Sequence, residues 1–195
     1  MASREEQLLS SVEDYLQQHT NETVSRIMAD FDDQFGQILD EFHQVIKTCS
    51  EQTIRQQTDS DKGKLKYIII SFLNSSVITQ TYDLQVDFYD DRMYLDENTA
   101  TGYWRPGFMV PYLKLDDINT LQTLFSQKVT RVMDYEMLEL QYGFIGILSS
   151  LYPHFCAKLI QHSRHLLCEV EKEDEIPVLF GIYMESAPYI TILHF

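Results

Sequence analysis

Glycine and proline are scarce in this chain, with seven and five among 195 residues. So little glycine leaves little material for a loop that cradles phosphate, and the sequence contains no G-x-x-x-x-G-K-[ST], G-x-G-x-x-G, G-x-S-x-G or H-E-x-x-H motif. We therefore expect no cofactor, and a non-catalytic protein rather than an enzyme. The many carboxylates leave a general acid–base site open, because one sequence does not show which of them lie together.

Cysteine is also rare. The chain has three cysteines, Cys49, Cys156 and Cys168. Their number is odd, and no two of them form a C-x-x-C motif. This pattern is typical of a reducing cytoplasm, and the first residues contain no apolar stretch that resembles a secretion signal. We therefore expect a cytoplasmic location.

Long apolar runs are absent apart from residues 140–157, which carry no charge. This run contains two glycines, a proline, a histidine and a glutamine, and is too polar for a convincing membrane span. A buried helix pair in a soluble protein is the better interpretation.

Positive charge is scarce as well, with 15 Lys and Arg against 30 Asp and Glu and a net charge of −15. Nucleic acid and anionic lipid both attract clustered basic residues, so we expect neither as a partner. The net charge is −8 in residues 1–63, −1 in residues 64–114 and −6 in residues 115–195. We expect the nearly neutral middle to form the core sheet and the acidic flanks to be solvated helix faces. The alternative for those flanks is a clamp for a basic partner.

Two helices are predicted at the N-terminus. Ser3 and Glu6 form a capping box, which predicts a helix from Arg4, and residues 19–21 interrupt its apolar stripe. A second helix is predicted over residues 21–49, because apolar residues recur there with alternating spacings of four and three, at Val24, Met28, Phe31, Phe35, Ile38, Phe42, Val45 and Cys49. Its wide stripe suits packing on a sheet or in a bundle, and a homodimer through this helix stays open.

A polar linker, residues 51–63, is predicted to lead into the strands. Residues 64–73 contain three consecutive isoleucines, which predicts a central strand that is covered on both faces. Further along, we predict a short strand at residues 92–95 and a loop at residues 96–102.

The clearest strand pattern lies in residues 77–89. Its apolar residues fall on one parity, whereas Asp83, Gln85 and Asp87 fall on the other. This alternation predicts a strand with one buried face and one solvated face.

The second half of the chain is predicted to be helical and then extended. Asp116 has the character of an N-cap, and Pro153 is predicted to open a last helix that ends near Lys172. Residues 178–184 and 189–195 are predicted to be strands joined by a turn.

The order of helices, strands, helices and hairpin is typical of the α+β class. We predict a single domain with a mainly antiparallel sheet of about four to six strands and helices packed on it. Its parts are N-terminal helices (1–50), a polar linker (51–63), a β-meander (64–113), helices (116–172) and a C-terminal β-hairpin (177–195).

The loop around the sole tryptophan is the candidate binding surface for a ligand or a partner. Trp104 is flanked by Tyr103 and Arg105, and an arginine beside aromatic rings can stack on a ring or bind a carboxylate or phosphate. Tyr112 is expected to contribute, with Tyr189 from the hairpin.

An aromatic plug at the sheet edge is the alternative for this loop. In that arrangement Arg105 pairs with an acid such as Asp96 or Glu97. Irregular segments that carry Trp serve packing more often than recognition, which favours the plug.

Histidine and cysteine crowd one predicted helix, and His162, His165 and Cys168 are the metal-ligand candidates. They stand three residues apart, and zinc accepts imidazole and thiolate ligands on one helix face. Solvated histidines are the alternative, because this spacing is less specific than paired C-x-x-C motifs. Asp40 and His43 also form an acid-x-x-His pair, but a di-iron bundle needs a second copy that the sequence lacks.

Three functions follow as hypotheses. The first is a non-catalytic, cytoplasmic protein-interaction module that binds another protein through residues 103–112 or an acidic helix face. The second is a protein that binds a small anionic molecule, or a small enzyme, with a pocket between sheet and helices and with Arg105 holding the anion. The third is metal binding through His162, His165 and Cys168.

Overall fold

The structure is a computed structural model that describes residues 4–114, 121, 123–125, 131–183 and 188–195. The chain divides into two compact units. The first contains Met1–Asp33 and Phe108–Leu151, and the second contains Gln34–Gly107 and Tyr152–Phe195. The single domain expected over residues 1–195 stays a prediction.

The described residues contain five helices and five strands. The helices are α1 (Arg4–Asp33), α2 (Phe35–Asp59), α3 (Asn74–Ile78), α4 (Asp134–Ser149) and α5 (Tyr152–His162). The strands are β1 (Tyr67–Phe72), β2 (Leu84–Tyr89), β3 (Ala100–Trp104), β4 (Pro177–Ile182) and β5 (Ile190–His194). Short 3-10 turns lie at Met93–Leu95, Val110–Tyr112 and Arg164–Leu167.

In the first unit, α4 is attached to α1 at its N-terminal end. The Arg4 guanidinium donates from Nε and Nη2 to the two carboxylate oxygens of Glu136, at 2.6 and 3.0 Å. Glu136 Oε2 also accepts the backbone N–H of Met133, the residue before the helix. The buried Glu136 carboxylate therefore caps α4 and holds it to α1.

In the second unit, the five strands form one mixed sheet in the order β3-β2-β1-β4-β5. The pair β1–β4 is parallel and the other three pairs are antiparallel. The prediction of an α+β fold with a mainly antiparallel sheet is confirmed, as are the central position of β1 and the C-terminal hairpin of β4 and β5. The prediction that β1 has both faces covered is also confirmed, because five of its six residues are buried.

The sheet has two chemically different faces. One face carries mainly apolar residues of β1 to β4, and we call it the helix face: Ile68, Ile70, Phe72, Leu84, Val86, Phe88, Ala100, Gly102, Trp104, Val178 and Phe180. The other carries most of the polar residues of these four strands, and we call it the polar face: Tyr67, Ile69, Ser71, Gln85, Asp87, Tyr89, Thr101, Tyr103, Leu179 and Gly181.

Helix α2 lies on the helix face, over β2 and β3. Its buried residues Ile38, Phe42, Ile46 and Cys49 recur every three or four positions, so they form one apolar stripe. A Cβ on Gly102 would lie 2.7 Å from Val45 Cγ1. Only glycine therefore allows the helix backbone to approach β3 this closely.

Two helix predictions are wrong at their ends. Helix α1 continues through residues 19–21, where the ring of His19 stacks on Tyr15 and contacts Phe144 at 5.4 Å. The polar residues that interrupt the apolar stripe in the sequence therefore do not end the helix, and His19 packs against aromatic rings.

The predicted linker is also mostly helical, because α2 continues to Asp59 and leaves only residues 60–63 of the linker outside the helix. Its polar side chains bind backbone groups of the second unit. Gln57 Nε2 donates to the carbonyls of Gly63 and Glu171, at 3.1 and 2.7 Å, and its Oε1 accepts the backbone N–H of Glu171. The polar composition of this segment therefore reflects these hydrogen bonds, and not a flexible linker.

The predicted helix over residues 21–49 is divided, since α1 ends at Asp33 and α2 begins at Phe35. The seam residues Phe31, Phe42 and Cys49 are fully buried within the chain. Ile38 is buried as well, and the other four seam residues, Val24, Met28, Phe35 and Val45, are half-buried. Because no seam residue is fully exposed, we do not propose a homodimer through this helix.

Two strand predictions are wrong. The strand predicted from Val77 begins only at Leu84, because residues 74–78 form α3 and a turn follows it. Gln80 and Tyr82 take left-handed φ values of 57° and 54° there, a conformation that the sequence did not indicate because it is normally marked by glycine or asparagine. Residues 93–95 form a 3-10 turn instead of a strand, and part of the predicted loop that follows is β3.

The last predicted helix is also too long. Helix α5 ends at His162, and a 3-10 turn replaces the expected continuation towards Lys172. The predicted N-cap Asp116 and most of the hairpin turn lie outside the described residues.

One stretch, Asp134–His162, is long and apolar enough by length and composition to cross a membrane. Its best window has a mean hydropathy of 1.2 and is 44% buried inside the protein. A core helix passes the same test, so this is weak support for a membrane span. The expected buried pair is a pair of helices, α4 and α5, but α4 exposes several apolar side chains.

A buried ion pair ties the segment after α2 to the loop before β3. Lys62 Nζ donates to Asp96 Oδ2 at 2.5 Å, to the carbonyl of Phe88 at 3.1 Å and to that of Asn98 at 2.8 Å. Both charged side chains are inaccessible to solvent. All three ammonium hydrogens have an acceptor, which is the condition for burying such a charge.

We expect Lys62→Met to lower the free energy of unfolding by about 3–5 kcal/mol, because it leaves the Asp96 carboxylate buried and unpaired. The double variant Lys62→Met/Asp96→Leu should recover most of the loss. Lys47→Met, which removes an exposed pair with Glu51, is the control and should stay within about 0.5 kcal/mol. Urea unfolding measures all three, and a loss below about 1 kcal/mol for Lys62→Met would contradict a buried pair.

We expect a chain that ends at Ser186 to be unfolded. Strand β5 pairs with β4, and Phe195 exchanges two backbone hydrogen bonds with Ile176 at 3.0 and 3.2 Å. Without β5, the apolar strand β4 becomes an open edge and α5 loses the strand it contacts. Circular dichroism and proteolysis test this, with full-length Ile190→Thr as a folded control. A folded, soluble truncation would refute it.

Candidate functional site

Trp104 is the last residue of β3 and lies on the helix face. Its ring meets Phe42 edge to face, with centroids 5.1 Å apart, and the residue is 2% exposed. Its indole N–H is buried and has no hydrogen-bond acceptor among the described residues. Trp104 therefore packs as the plug interpretation describes, and does not offer a surface for a ligand.

Tyr103 and Arg105, in contrast, are exposed. Tyr103 points to the polar face, where it pairs in register with Gln85. Arg105 Nε donates to Asp83 Oδ1 at 2.9 Å, so its acid partner is neither of those predicted. Burial raises the pKa of Asp83, but the hydrogen bonds from Arg105 and Thr81 outweigh this and lower it.

Tyr112 belongs to the first unit, whereas the other three candidate residues belong to the second. Its hydroxyl donates to Asp30 Oδ2 at 2.6 Å, which raises the pKa of Tyr112. The structure therefore brings Tyr103, Trp104 and Arg105 together as chain neighbours and describes Tyr112 apart from them.

The metal-ligand candidates lie at and after the end of α5. The ring of His162 contacts Phe35 at 5.3 Å, and His165 contacts the ring of His43, also at 5.3 Å. Cys168 is exposed. Within the part of the chain that the structure describes, no three His, Cys, Asp or Glu side chains are grouped to hold a metal ion.

A buried carboxylate lies at the centre of the polar face. Asp87 is only 1% exposed, although its parity predicted a solvated side chain. Its Oδ1 accepts the Thr101 hydroxyl at 2.6 Å, and Gln85 Nε2 lies 2.8 and 3.1 Å from its two oxygens. Burial raises the pKa of Asp87, and hydrogen bonds from Thr101, Gln85 and Tyr89 offset this only in part.

Tyrosines cover this carboxylate in place of a helix. The ring of Tyr94 contacts that of Tyr89 at 5.6 Å, at one end of the row of residues that contains Asp87. Tyr189 approaches from the other end, where its hydroxyl lies 3.3 Å from Ser71 Oγ. Burial raises the pKa of Tyr94 to about 12, and the neighbouring Tyr189 adds to this rise, so the two tyrosines lie close together over this face.

Gly181 makes room for this arrangement. A Cβ there would lie 2.5 Å from the ring of Tyr189. The tyrosine ring therefore rests directly on the backbone of β4. We call Tyr89, Tyr94, Tyr183 and Tyr189 the tyrosine cluster, because all four interact electrostatically around Asp87.

Asp87 differs from the other buried carboxylates in its lack of a cation. Asp90 lies 2.6 Å from Arg92, and Asp96 and Glu136 pair with Lys62 and Arg4 as described above. No Lys, Arg or His of the described residues lies within 4.0 Å of the Asp87 carboxylate. Its negative charge is stabilised by neutral hydrogen-bond donors alone.

The buried thiols of the second unit are not suited to nucleophilic chemistry. Burial and the nearby Asp87 raise the pKa of Cys49 to about 12, and burial raises that of Cys156 as well. A nucleophilic cysteine needs the opposite shift, because the thiolate is the reactive form.

The first unit exposes an apolar helix surface. Tyr135, Leu138 and Tyr142 follow one another at spacings of three and four on α4, and they are 57%, 49% and 44% exposed. This spacing places them on one side of the helix, and we call them the α4 stripe. The opposite side of α4 carries buried residues such as Phe144 and Leu148.

Sequence reasoning missed both surfaces for identifiable reasons. An acid and an amide on alternate strand positions predict a solvated face, and nothing near Asp87 indicates that Tyr94 and Tyr189 cover it. The uncharged run after Glu139 was interpreted as wholly buried. The three- and four-residue spacing of the α4 stripe was a usable sign, because a second apolar side marks a helix with two contact surfaces.

No protein-family model, no curated protein and no solved structure significantly resembles this chain.

We expect Asp87→Asn to raise the free energy of unfolding at pH 7. The folded-state pKa of Asp87 is raised, so the residue weakens the fold increasingly as pH rises from its unfolded pKa, near 3.8, through its folded pKa. An asparagine does not ionise and keeps the shape. The gain should therefore be larger at pH 7 than at pH 4, as measured by urea unfolding at both.

Asp90→Asn is the control, and we expect it to change the free energy of unfolding in the opposite direction. Burial raises the pKa of Asp90, but hydrogen bonds from Arg92 and Gly63 outweigh this and lower it to about 2. Its stabilising effect is present above the unfolded pKa and is lost as pH falls through about 2, so Asp90→Asn should destabilise at pH 7. A loss of stability for Asp87→Asn at pH 7 that equals this one would show that Asp87 is not an uncompensated charge.

Proposed function

We propose that this chain is a non-catalytic, cytoplasmic protein-interaction module, and that it binds another protein through the α4 stripe. The observation that supports this most is that three large side chains on the same side of one helix are exposed. Helices that dock into a partner's groove present anchors at this i, i+3, i+7 spacing. Tyrosine is also among the side chains that most often dominate interface energies.

The stripe is held in place by the fold of the first unit. Arg4 binds both carboxylate oxygens of Glu136, two residues before Leu138, and the ring of His19 contacts Phe144 on the buried side of α4. A helix that is fixed before binding loses less conformational entropy when it docks. This supports a preformed contact surface.

Charge defines the partner's chemistry. The exposed acids Asp134 and Glu139 flank the stripe, and α4 contains no basic residue. A groove with an apolar floor and a basic rim complements these features, whereas the anionic surface of a membrane does not.

The alternative of an anionic ligand between sheet and helices has less support. Arg105 is engaged by Asp83, and the space between α2 and β3 is so narrow that only glycine fits at position 102. Neither feature favours an anion pocket on the helix face.

We expect Leu138→Asp to reduce recovery of the bound protein at least about tenfold in affinity capture from source cells, because a hot-spot side chain contributes about 2 kcal/mol or more. Ile78→Asp is the matched control, since Ile78 is 76% exposed on α3, outside the stripe, and should capture as the wild type does. Equal capture by Leu138→Asp, with its fold intact by circular dichroism, would reject the stripe. Stripe-dependent binding to anionic vesicles instead of protein would reject the module.

A further inference from the structure

The polar face combines a buried negative charge with aromatic rings. Three of the four buried carboxylates of the described residues have a cationic side chain within 2.6 Å, and Asp87 has none. The charge lies under a layer of tyrosines, of which Tyr94 is 61% exposed and Tyr189 is half-buried. Both the carboxylate and the ring faces attract positive charge.

We propose that the polar face binds an organic cation, an ammonium or guanidinium group, which pairs with Asp87 and rests against the rings of Tyr94 and Tyr189. The group supplies the positive charge that the other three buried carboxylates receive from Lys62, Arg92 and Arg4. This inference is independent of the α4 stripe, which lies in the other unit.

The chemistry of the face selects an organic cation over a metal ion. Calcium and magnesium take about six or more oxygen ligands, whereas Asp87 is the one carboxylate among the described residues of this face. Tyrosine rings, in contrast, bind alkylammonium and guanidinium groups, because the ring quadrupole attracts positive charge. The fold already contains one such contact at the edge of this face, where Lys66 Nζ lies 5.9 Å from the ring centroid of Tyr67.

We place the entry of the cation beside Tyr94, which is the most exposed residue of the tyrosine cluster. This residue lies in the 3-10 turn Met93–Leu95, outside the sheet, and its ring contacts Tyr89 edge to face rather than being enclosed. Rotation of an exposed tyrosine side chain takes place within nanoseconds. A cation entering beside Tyr94 meets the ring of Tyr189 on one side and Asp87 beneath.

The test is an amide NMR titration of the full chain with tetramethylammonium chloride. We expect saturable shifts at Asp87, Thr101 and Tyr94. Equal concentrations of sodium chloride and of tert-butanol, which has a similar shape without charge, control for ionic strength and for apolar contact. Equal shifts with tert-butanol, or no saturable shift with tetramethylammonium, would overturn the proposal.

Two variants locate the site. Asp87→Asn, which keeps the shape of the side chain, should weaken binding at least about tenfold, because removing one member of a buried charge pair has a large effect. Tyr94→Leu should weaken it severalfold. The controls are Asp40→Asn, which changes the net charge equally at an exposed position, and Leu95→Ala, which removes an exposed side chain from the same turn as Tyr94. Unchanged affinity in Asp87→Asn, or an equal loss in Asp40→Asn, would refute the assignment.

A second titration distinguishes the two sources of such a cation. Putrescine represents a free amine, and a blocked Gly-Lys-Gly peptide represents a side chain of a partner protein. Tighter binding of putrescine assigns the site to a small amine, and tighter binding of the peptide assigns it to a basic protein segment. Failure of both, together with tetramethylammonium, would overturn the proposal whatever the outcome for the α4 stripe.

Discussion

The close approach of α2 to the sheet is the constraint on which the second unit depends. Gly102 allows the helix to lie directly on β2 and β3, so that Phe42, Ile46 and Cys49 are buried against this part of the helix face. This places most apolar residues of β1 to β4 on one side of the sheet. The other side must then be closed by what the loops supply, which is a layer of tyrosines.

That division explains where charge is tolerated and where it is not. Around the helix face and its connecting loops, Lys62, Arg92 and the backbone satisfy the buried acids. Beneath the tyrosines, Asp87 receives only neutral donors from Thr101 and Gln85. Asp87 is thus the one buried acid of the described residues without a cationic partner, which is why we propose a cation site there.

The sequence revealed the elements better than their surroundings. Three consecutive isoleucines identified β1 as central, and the extended C-terminal segments identified the hairpin, because these patterns are local. The cover of Asp87 is not local, since Tyr94 and Tyr189 come from distant loops. The sequence allows Trp104 to be either an aromatic plug or part of a binding surface. Only its packing on Phe42 in the structure favours the plug. The end of α2 was missed because Gln57 makes its hydrogen bonds to residues far along the chain.

The most direct test of this account is the titration of the Asp87 carboxyl group itself, followed by carbon NMR in the free protein. The account predicts a pKa above the usual value near 3.8, with a change in the shifts of Thr101 and Tyr89 at the same pH. A pKa at or below that value would mean that a positive charge already compensates Asp87, and the central claim would be wrong.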